Sequence, residues 1–166
     1  MRLAENFLDV CASTAQQNKS QQEYRTVLET LPFEPDAEAV FRAGFAAADV
    51  SFWLDTSSRE PGRGRFSYMG DGSGPHARLI TYDAHAGIVR IESRDGVVER
   101  PGPVLERLEE QLHALTPTDH GEELPFDFDL GLVGYLGYEV KADCGASHAN
   151  RADTPDAAFL LADRML

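Results

Sequence analysis

Hydrophobic positions along this chain change rhythm several times, and each change marks an element. Leu3, Phe7, Leu8 and Cys11 recur at helical spacing, which predicts a short one-sided helix over residues 1–11. From residue 12 that pattern is lost in a run of Ala, Ser, Thr, Gln, Asn and Lys, which reads as a linker extending to residue 31. Within it, residues 24–31 fit neither the helical nor the strand period cleanly. Pro32 and Pro35 precede a clearer helix, with Asp36 placed to cap it and Val40, Phe41, Gly44 and Phe45 on its inner face. Residues 50–54 are aromatic and β-branched, as in a buried strand, and the polar cluster 55–62 ends it.

Beyond that cluster the period shortens to two. Residues 65–69, 77–82, 88–92 and 97–100 are short strand-like runs divided by glycine-containing turns, the pattern of an antiparallel meander. Residues 103–115 return to the helical period. Val104, Leu105, Leu108, Leu112 and Leu115 share one face, Glu106, Arg107, Glu109 and Glu110 face water, and proline is tolerated in the first turn. This helix should cover one face of the meander. A loop over 116–125, a glycine-rich strand over 130–139, a short helix over 138–144 and a buried strand over 157–162 complete the reading.

The glycine-rich strand is the least ordinary stretch. Gly131, Gly134 and Gly137 interrupt an apolar run that also carries Tyr135 and Tyr138. Glycine weakens a strand through backbone entropy and gives it no side chain to pack, so its presence there marks a bulge or the close approach of another backbone or a ligand. The upstream strand end is the second irregular place. Asp55, Thr56, Ser57 and Ser58 put a carboxylate and three hydroxyls at the end of an apolar strand, where polar groups converge either on a small ligand or on a capped turn.

Charge and composition narrow the possibilities. Asp and Glu outnumber Lys and Arg 28 to 15, and the formal charge of -13 repels phosphate backbones, which argues against a nucleic-acid partner. No apolar run approaches the roughly 20 residues that span a bilayer, and Glu5, Asn6 and Asp9 break the opening segment, so neither a membrane nor an export signal is expected and a cytoplasmic location is. Cys11 and Cys144 lie far apart, outside any C-x-x-C motif, and reduced thiols are expected. Cys144 and His148 are two possible ligands, short of a zinc set, and no metal or other cofactor is expected in this chain. The glycines at 62, 64, 70, 72 and 74 lack the G-K-[ST] ending of a phosphate loop, and no G-x-S-x-G elbow surrounds Ser57, so hairpin turns and an ordinary serine explain them.

Four segments, in order, carry a resemblance: Phe52-Trp53-Leu54-Asp55-Thr56-Ser57, Gly64-Arg65-Phe66-Ser67-Tyr68-Met69-Gly70, Gly131-Leu132-Val133-Gly134-Tyr135-Leu136-Gly137-Tyr138-Glu139 and Pro155-Asp156-Ala157-Ala158-Phe159. Together they resemble the N-terminal domain of the anthranilate synthase component I family, and most of all its para-aminobenzoate branch, the aminodeoxychorismate synthases. The resemblance covers residues 33–166. It implies an α+β fold with a largely antiparallel sheet and flanking helices. It also implies a partner, the chorismate-binding catalytic domain, which carries the catalytic acids and the magnesium ligands and is absent from this chain, so no catalytic residue is expected here.

Residues 2–10 resemble the last helix of class I glutamine amidotransferase domains, which implies a glutaminase–synthase fusion with its boundary in the linker, and a glutamine amidotransferase domain or subunit as the second partner. The family's N-terminal domain binds tryptophan, and the matching positions are Leu54, Asp55 and Thr56, then Phe66, Ser67 and Tyr68, then Gly134 and Tyr135. Where the family often has glutamate then serine, this chain has Asp55 then Thr56. A free-standing tryptophan-binding module, a docking platform for a glutaminase and the anthranilate branch are the competing readings.

Overall fold

The computed structural model describes residues 4–10, 24–55, 66–114, 126, 128, 131–147 and 151–166. In chain order its strands are β1 (Ala4–Val10), β2 (Tyr24–Thr30), β3 (Ser51–Leu54), β4 (Tyr68–Asp71), β5 (Arg78–Asp83), β6 (Ile88–Ser93), β7 (Gly96–Pro101), β8 (Gly131–Leu136), β9 (Ala157–Ala162) and β10 (Arg164–Met165). Two α-helices, α1 (Ala37–Gly44) and α2 (Val104–His113), and a 3₁₀ helix at Tyr138–Cys144 accompany them. The strands form two five-stranded sheets, ordered β2-β1-β10-β4-β3 and β7-β6-β5-β9-β8, and every pairing is antiparallel. The expected α+β class with largely antiparallel sheet is therefore observed.

The second sheet contains the predicted meander, with β9 inserted antiparallel between β5 and the glycine-rich β8. Its register sets the core. Ile80 lies opposite Ile91 and Phe159, and Tyr82 opposite Val89 and Ala157, so these residues share one face. Helix α2 lays Val104 and Leu108 on that face, and Val140 of the 3₁₀ helix closes one end. Each such side chain, fully buried, stabilises the fold by about 1.5–3 kcal/mol. Leu105 and Leu112, expected on the same inward face, are about half exposed, because the face that meets the sheet is narrower than five leucine and valine positions.

Asp36 caps α1 as expected, accepting a hydrogen bond from the Ala39 amide at 3.1 Å. Phe45 at the helix end is buried, and Phe41 packs over Trp53 with ring centroids 5.3 Å apart. Helix α2 lacks a side-chain cap at Pro103. Asp143 supplies it from a distance, accepting from the Val104 amide at 3.0 Å and from the Tyr82 hydroxyl at 2.6 Å.

The sheets meet at a corner made by one residue. Asp163 alone separates β9 in one sheet from β10 in the other. Its carboxylate is buried and accepts from the His76 amide at 2.7 Å. Next to it, Arg164 donates to the Ser73 hydroxyl at 2.7 Å and approaches the buried Asp71 at 3.4 Å, while Asp71 also accepts from Ser73. A buried carboxylate left without such partners would carry several kcal/mol of desolvation cost. Met69 and Met165 fill the core of the first sheet beside this network.

Three expectations are corrected. Ala4–Val10 is a strand, where a helix was expected over 1–11, and Tyr24–Thr30 is a strand inside the segment expected to be linker. A helix shorter than about 12 residues is marginal in water, whereas β1 is paired along its whole length with β2 and touches β10 at Asn6 and Phe7. Helical spacing in so short a run is outweighed by ladder bonds to strands distant in sequence. The strand expected at 65–69 begins and ends later, at Tyr68–Asp71, because its pairing partner β3 sets the register, with Leu54 opposite Tyr68 and Ser51 opposite Asp71.

Candidate functional site

Strands β3 and β4 run antiparallel, so the end of one lies beside the start of the other, and the two motifs that flank the intervening segment are brought together. Leu54 and Tyr68 are direct cross-strand partners. One residue further out, Ser67 donates its hydroxyl proton to the Asp55 carboxylate at 2.5 Å. Leu54 and Asp55 are exposed, while Phe66, Ser67 and Tyr68 are half-buried. Thr56, expected as the third member of the strand-end triplet, lies outside the described residues.

Aromatic rings line the same end of the sheet. Phe66 and Tyr68 lie 6.3 Å apart, and Phe126 stands edge-on to both, at 5.7 Å and 6.1 Å. Phe128 adds an edge contact to Tyr68 at 5.2 Å. Edge-to-face pairs of this kind contribute about 0.5–1.5 kcal/mol each beyond the area they bury. A Cβ placed on Gly131 would sit 3.8 Å from the Phe128 ring, so this wall leads directly into β8. Sequence reasoning missed Phe126 and Phe128. The signal was present as two aromatics at a spacing of two just before the glycine-rich strand, in residues 126–129, to which the sequence reading assigned no element.

The third group of expected site residues is positioned by β9. Gly134 lies opposite Phe159 and Tyr135 opposite Ala158. A Cβ on Gly134 would come within 2.6 Å of the Phe159 Cα and nearer still to the Ala158 carbonyl oxygen, so the glycine marks the close approach of a neighbouring backbone. The register across β8 is regular, without a bulge. Tyr135 and Leu160 project on the same face of the sheet, because Tyr135 pairs with Ala158, two residues from Leu160. That is the face toward the first sheet, since a Cβ on Gly72 would touch Leu160 Cδ1 at 3.1 Å. The Tyr135 hydroxyl donates to the Pro155 carbonyl at 3.0 Å. The structure thus joins Leu54, Asp55, Phe66, Ser67 and Tyr68 in one cluster and sets Tyr135 on the facing side of the second sheet.

Trp53, between the two polar strand ends, is held by Phe41 on the opposite side of β3 from Leu54, and its buried indole Nε1 has no hydrogen-bond partner. The titration of Tyr82 is strongly displaced. Burial pushes its phenol well above the ordinary tyrosine range, and the hydrogen bond to Asp143 and the nearby charges of Asp143, Asp156 and Asp83 add to the effect. It serves the helix-capping network rather than the strand-end site. Among the described residues no three His, Cys, Asp or Glu side chains gather as a metal site; Cys144 is an exposed free thiol, and His148 lies outside the described residues.

The described part of the chain is thus a two-sheet α+β domain with a carboxylate–hydroxyl pair beside an aromatic cluster at one strand end. No family model matches the chain. Curated proteins do match it. It is 47% identical over 145 residues to an aminodeoxychorismate synthase of Streptomyces pristinaespiralis, an alignment covering 87% of this chain and 20% of the relative. A Streptomyces griseus aminodeoxychorismate synthase is 42% identical over 142 residues, 86% of this chain and 19% of the relative. A chloroplastic aminodeoxychorismate synthase of Arabidopsis thaliana is 35% identical over 130 residues, 70% of this chain and 14% of the relative. The chain belongs to the aminodeoxychorismate synthase family, and it spans about a fifth of the length of the bacterial relatives it matches.

Proposed function

We propose that this chain is the N-terminal structural and regulatory domain of an aminodeoxychorismate synthase. In this reading it works beside a chorismate-binding catalytic domain and a glutamine amidotransferase domain or subunit, in the cytoplasm, and is inactive alone. The observation that carries the reading is the alignment itself, 87% of this chain against one fifth of a synthase. The complete reaction replaces the chorismate 4-hydroxyl with ammonia drawn from glutamine and yields 4-amino-4-deoxychorismate for para-aminobenzoate and folate. Magnesium belongs with the catalytic domain.

The part assigned to this chain is ligand binding at the strand end. Asp55, oriented by Ser67, would accept the ammonium of an amino acid such as tryptophan, with Thr56 as a further polar contact and Leu54 as the apolar edge. Phe66 and Tyr68 would flank an indole, and Gly134 with Tyr135 would form the opposite wall. Aspartate is one methylene shorter than the glutamate frequent at this position, so the ligand must sit closer to β3.

Two measurements test this. The purified chain, given chorismate, ammonium and magnesium, is expected to form no aminodeoxychorismate; clear product formation would show that a catalytic site was missed. Calorimetric titration with tryptophan is expected to give one-to-one binding that is lost in Asp55→Ala. The absence of heat and of any thermal shift at millimolar tryptophan would remove the ligand assignment and leave a purely structural domain.

A further inference from the structure

Among the described residues each sheet has two outer strands, β2 and β3 in one, β7 and β8 in the other. An outer strand exposes a row of unpaired amides and carbonyls, and proteins protect such rows with charge, proline or brevity. Three of these four edges are protected. Strand β7 carries Glu99, Arg100 and Pro101 after an Arg94–Asp95 turn, β2 carries the exposed Glu29, and β3 is only four residues long and is flanked by Asp49 and Asp55. Strand β8 has none of these features. From Gly131 to Tyr138 there is no charge and no proline, the strand is six residues long, and its register is unbroken by a bulge. Its end is apolar: Tyr135 is 46% and Leu136 50% exposed, and just beyond the strand Tyr138, the first residue of the 3₁₀ helix, is 79% exposed with the Lys141 ammonium over its ring.

We infer that the free edge of β8 pairs with a strand from the part of the synthase that lies outside this chain, with Leu136 and Tyr138 packing against that partner. The inference rests on the functional reading above. The match takes in 20% of the S. pristinaespiralis relative, so four fifths of that polypeptide is available to supply the strand. A second copy of this chain is the poorer occupant, since each copy carries a formal charge of -13 and two would repel. Main-chain hydrogen bonds along the edge would give the affinity and the apolar side chains the register.

The test pairs the 166-residue chain with the separately expressed remainder of the S. pristinaespiralis relative, measured by titration and by amide hydrogen exchange. The expected result is a complex in which β8 amides gain protection, Leu136→Lys binds roughly tenfold or more weakly, and Val98→Lys, an equally exposed change on β7, binds like the unmodified chain. Equal binding by Leu136→Lys with unprotected β8 amides would overturn the edge assignment while leaving the functional reading intact. No complex with any variant would overturn the functional reading itself. A chain that sediments alone as a dimer, dispersed by Leu136→Lys, would show that the edge belongs to a second copy and refute the partner named here.

Discussion

Replacing Gly134 with alanine adds a single methyl group, and the structure says where it goes. The new Cβ would stand 2.6 Å from the Phe159 Cα, 2.8 Å from the Ala158 carbonyl carbon and closer still to the carbonyl oxygen, all of them backbone atoms of β9. Ordinary contacts of this kind need more than about 3.4 Å, so no rotamer change relieves the clash and the strands must part by more than an ångström. Strand β8 is the one that can move, because β9 is held on its other side by β5. Its ladder runs from Gly131 opposite Ala162 to Leu136 opposite Ala157, and Gly137 bonds onward to the Asp156 carbonyl.

Losing two or three of these hydrogen bonds at about 1 kcal/mol each, together with overpacking of about 1–3 kcal/mol, gives a destabilisation of roughly 3–6 kcal/mol. With a urea dependence of about 2 kcal/mol per molar, the unfolding midpoint should fall by roughly 1.5–3 M. Gly44→Ala provides the matched control. It adds the same methyl group, at the last position of α1, with nothing within 4 Å, and it should raise stability by about 0.5–1 kcal/mol. Urea unfolding followed by circular dichroism reads both. A Gly134→Ala midpoint within about 0.3 M of the unmodified chain would refute the claim that backbone contact, rather than a ligand, is what demands this glycine.

Asp143→Ala removes the remote cap of α2 together with the acceptor of the Tyr82 hydroxyl, and it should cost about 2–3 kcal/mol in the same denaturation assay. The Tyr82 phenol is held protonated in the folded chain beyond its unfolded value near 10, so the stability it contributes is full below pH 10 and is lost as pH rises toward the folded value. Unfolding midpoints should accordingly decline above about pH 10, and less steeply in Tyr82→Phe; parallel pH profiles would refute the assignment. Phe126→Ala empties the centre of the aromatic cluster and should cost about 3 kcal/mol by thermal or urea unfolding, whereas a change below about 1 kcal/mol would mean that the rings at the strand end pack independently. Ser67→Ala, which removes one hydroxyl donor to Asp55, should weaken tryptophan binding several-fold in calorimetry with little effect on stability, since the bond it removes is exposed and contributes about 1 kcal/mol at most.

The parts of the fold that could be read ahead were those whose signal is local. The meander followed from apolar runs and glycine turns, α2 from its heptad-like leucines, and the cap of α1 from Asp36. What escaped depends on partners remote in sequence. Strand β1 pairs with β2 and with β10, more than 150 positions away, and no local periodicity announces such a contact. Asp143 was an unremarked residue of a short helix, yet it caps a helix 39 positions earlier. At the candidate site the residues flanking one hairpin were legible because β3 and β4 bring them together at short range, while Phe126 and Phe128 arrive from a separate loop.

Gly134 of β8 therefore bears on function first through the geometry it imposes on its neighbours. Gly134 lets β8 lie against β9 more closely than any other residue would allow, and that closeness fixes the height at which Tyr135 stands on the face toward the first sheet. The Tyr135 hydroxyl is then tied to Pro155, in the segment leading into β9, so the ring is held by the same strand that carries the corner residue Asp163 into the first sheet. A partner strand added to the free edge of β8 would press on this arrangement from the other side. Occupancy of the strand-end site and attachment of the catalytic domain would then share one mechanical element, β8. Binding at either place should narrow the motions available to it and favour binding at the other. Tryptophan should in that case slow hydrogen exchange of the β8 amides as well as those of β3 and β4, and protection confined to β3 and β4 would show that the two sites act independently.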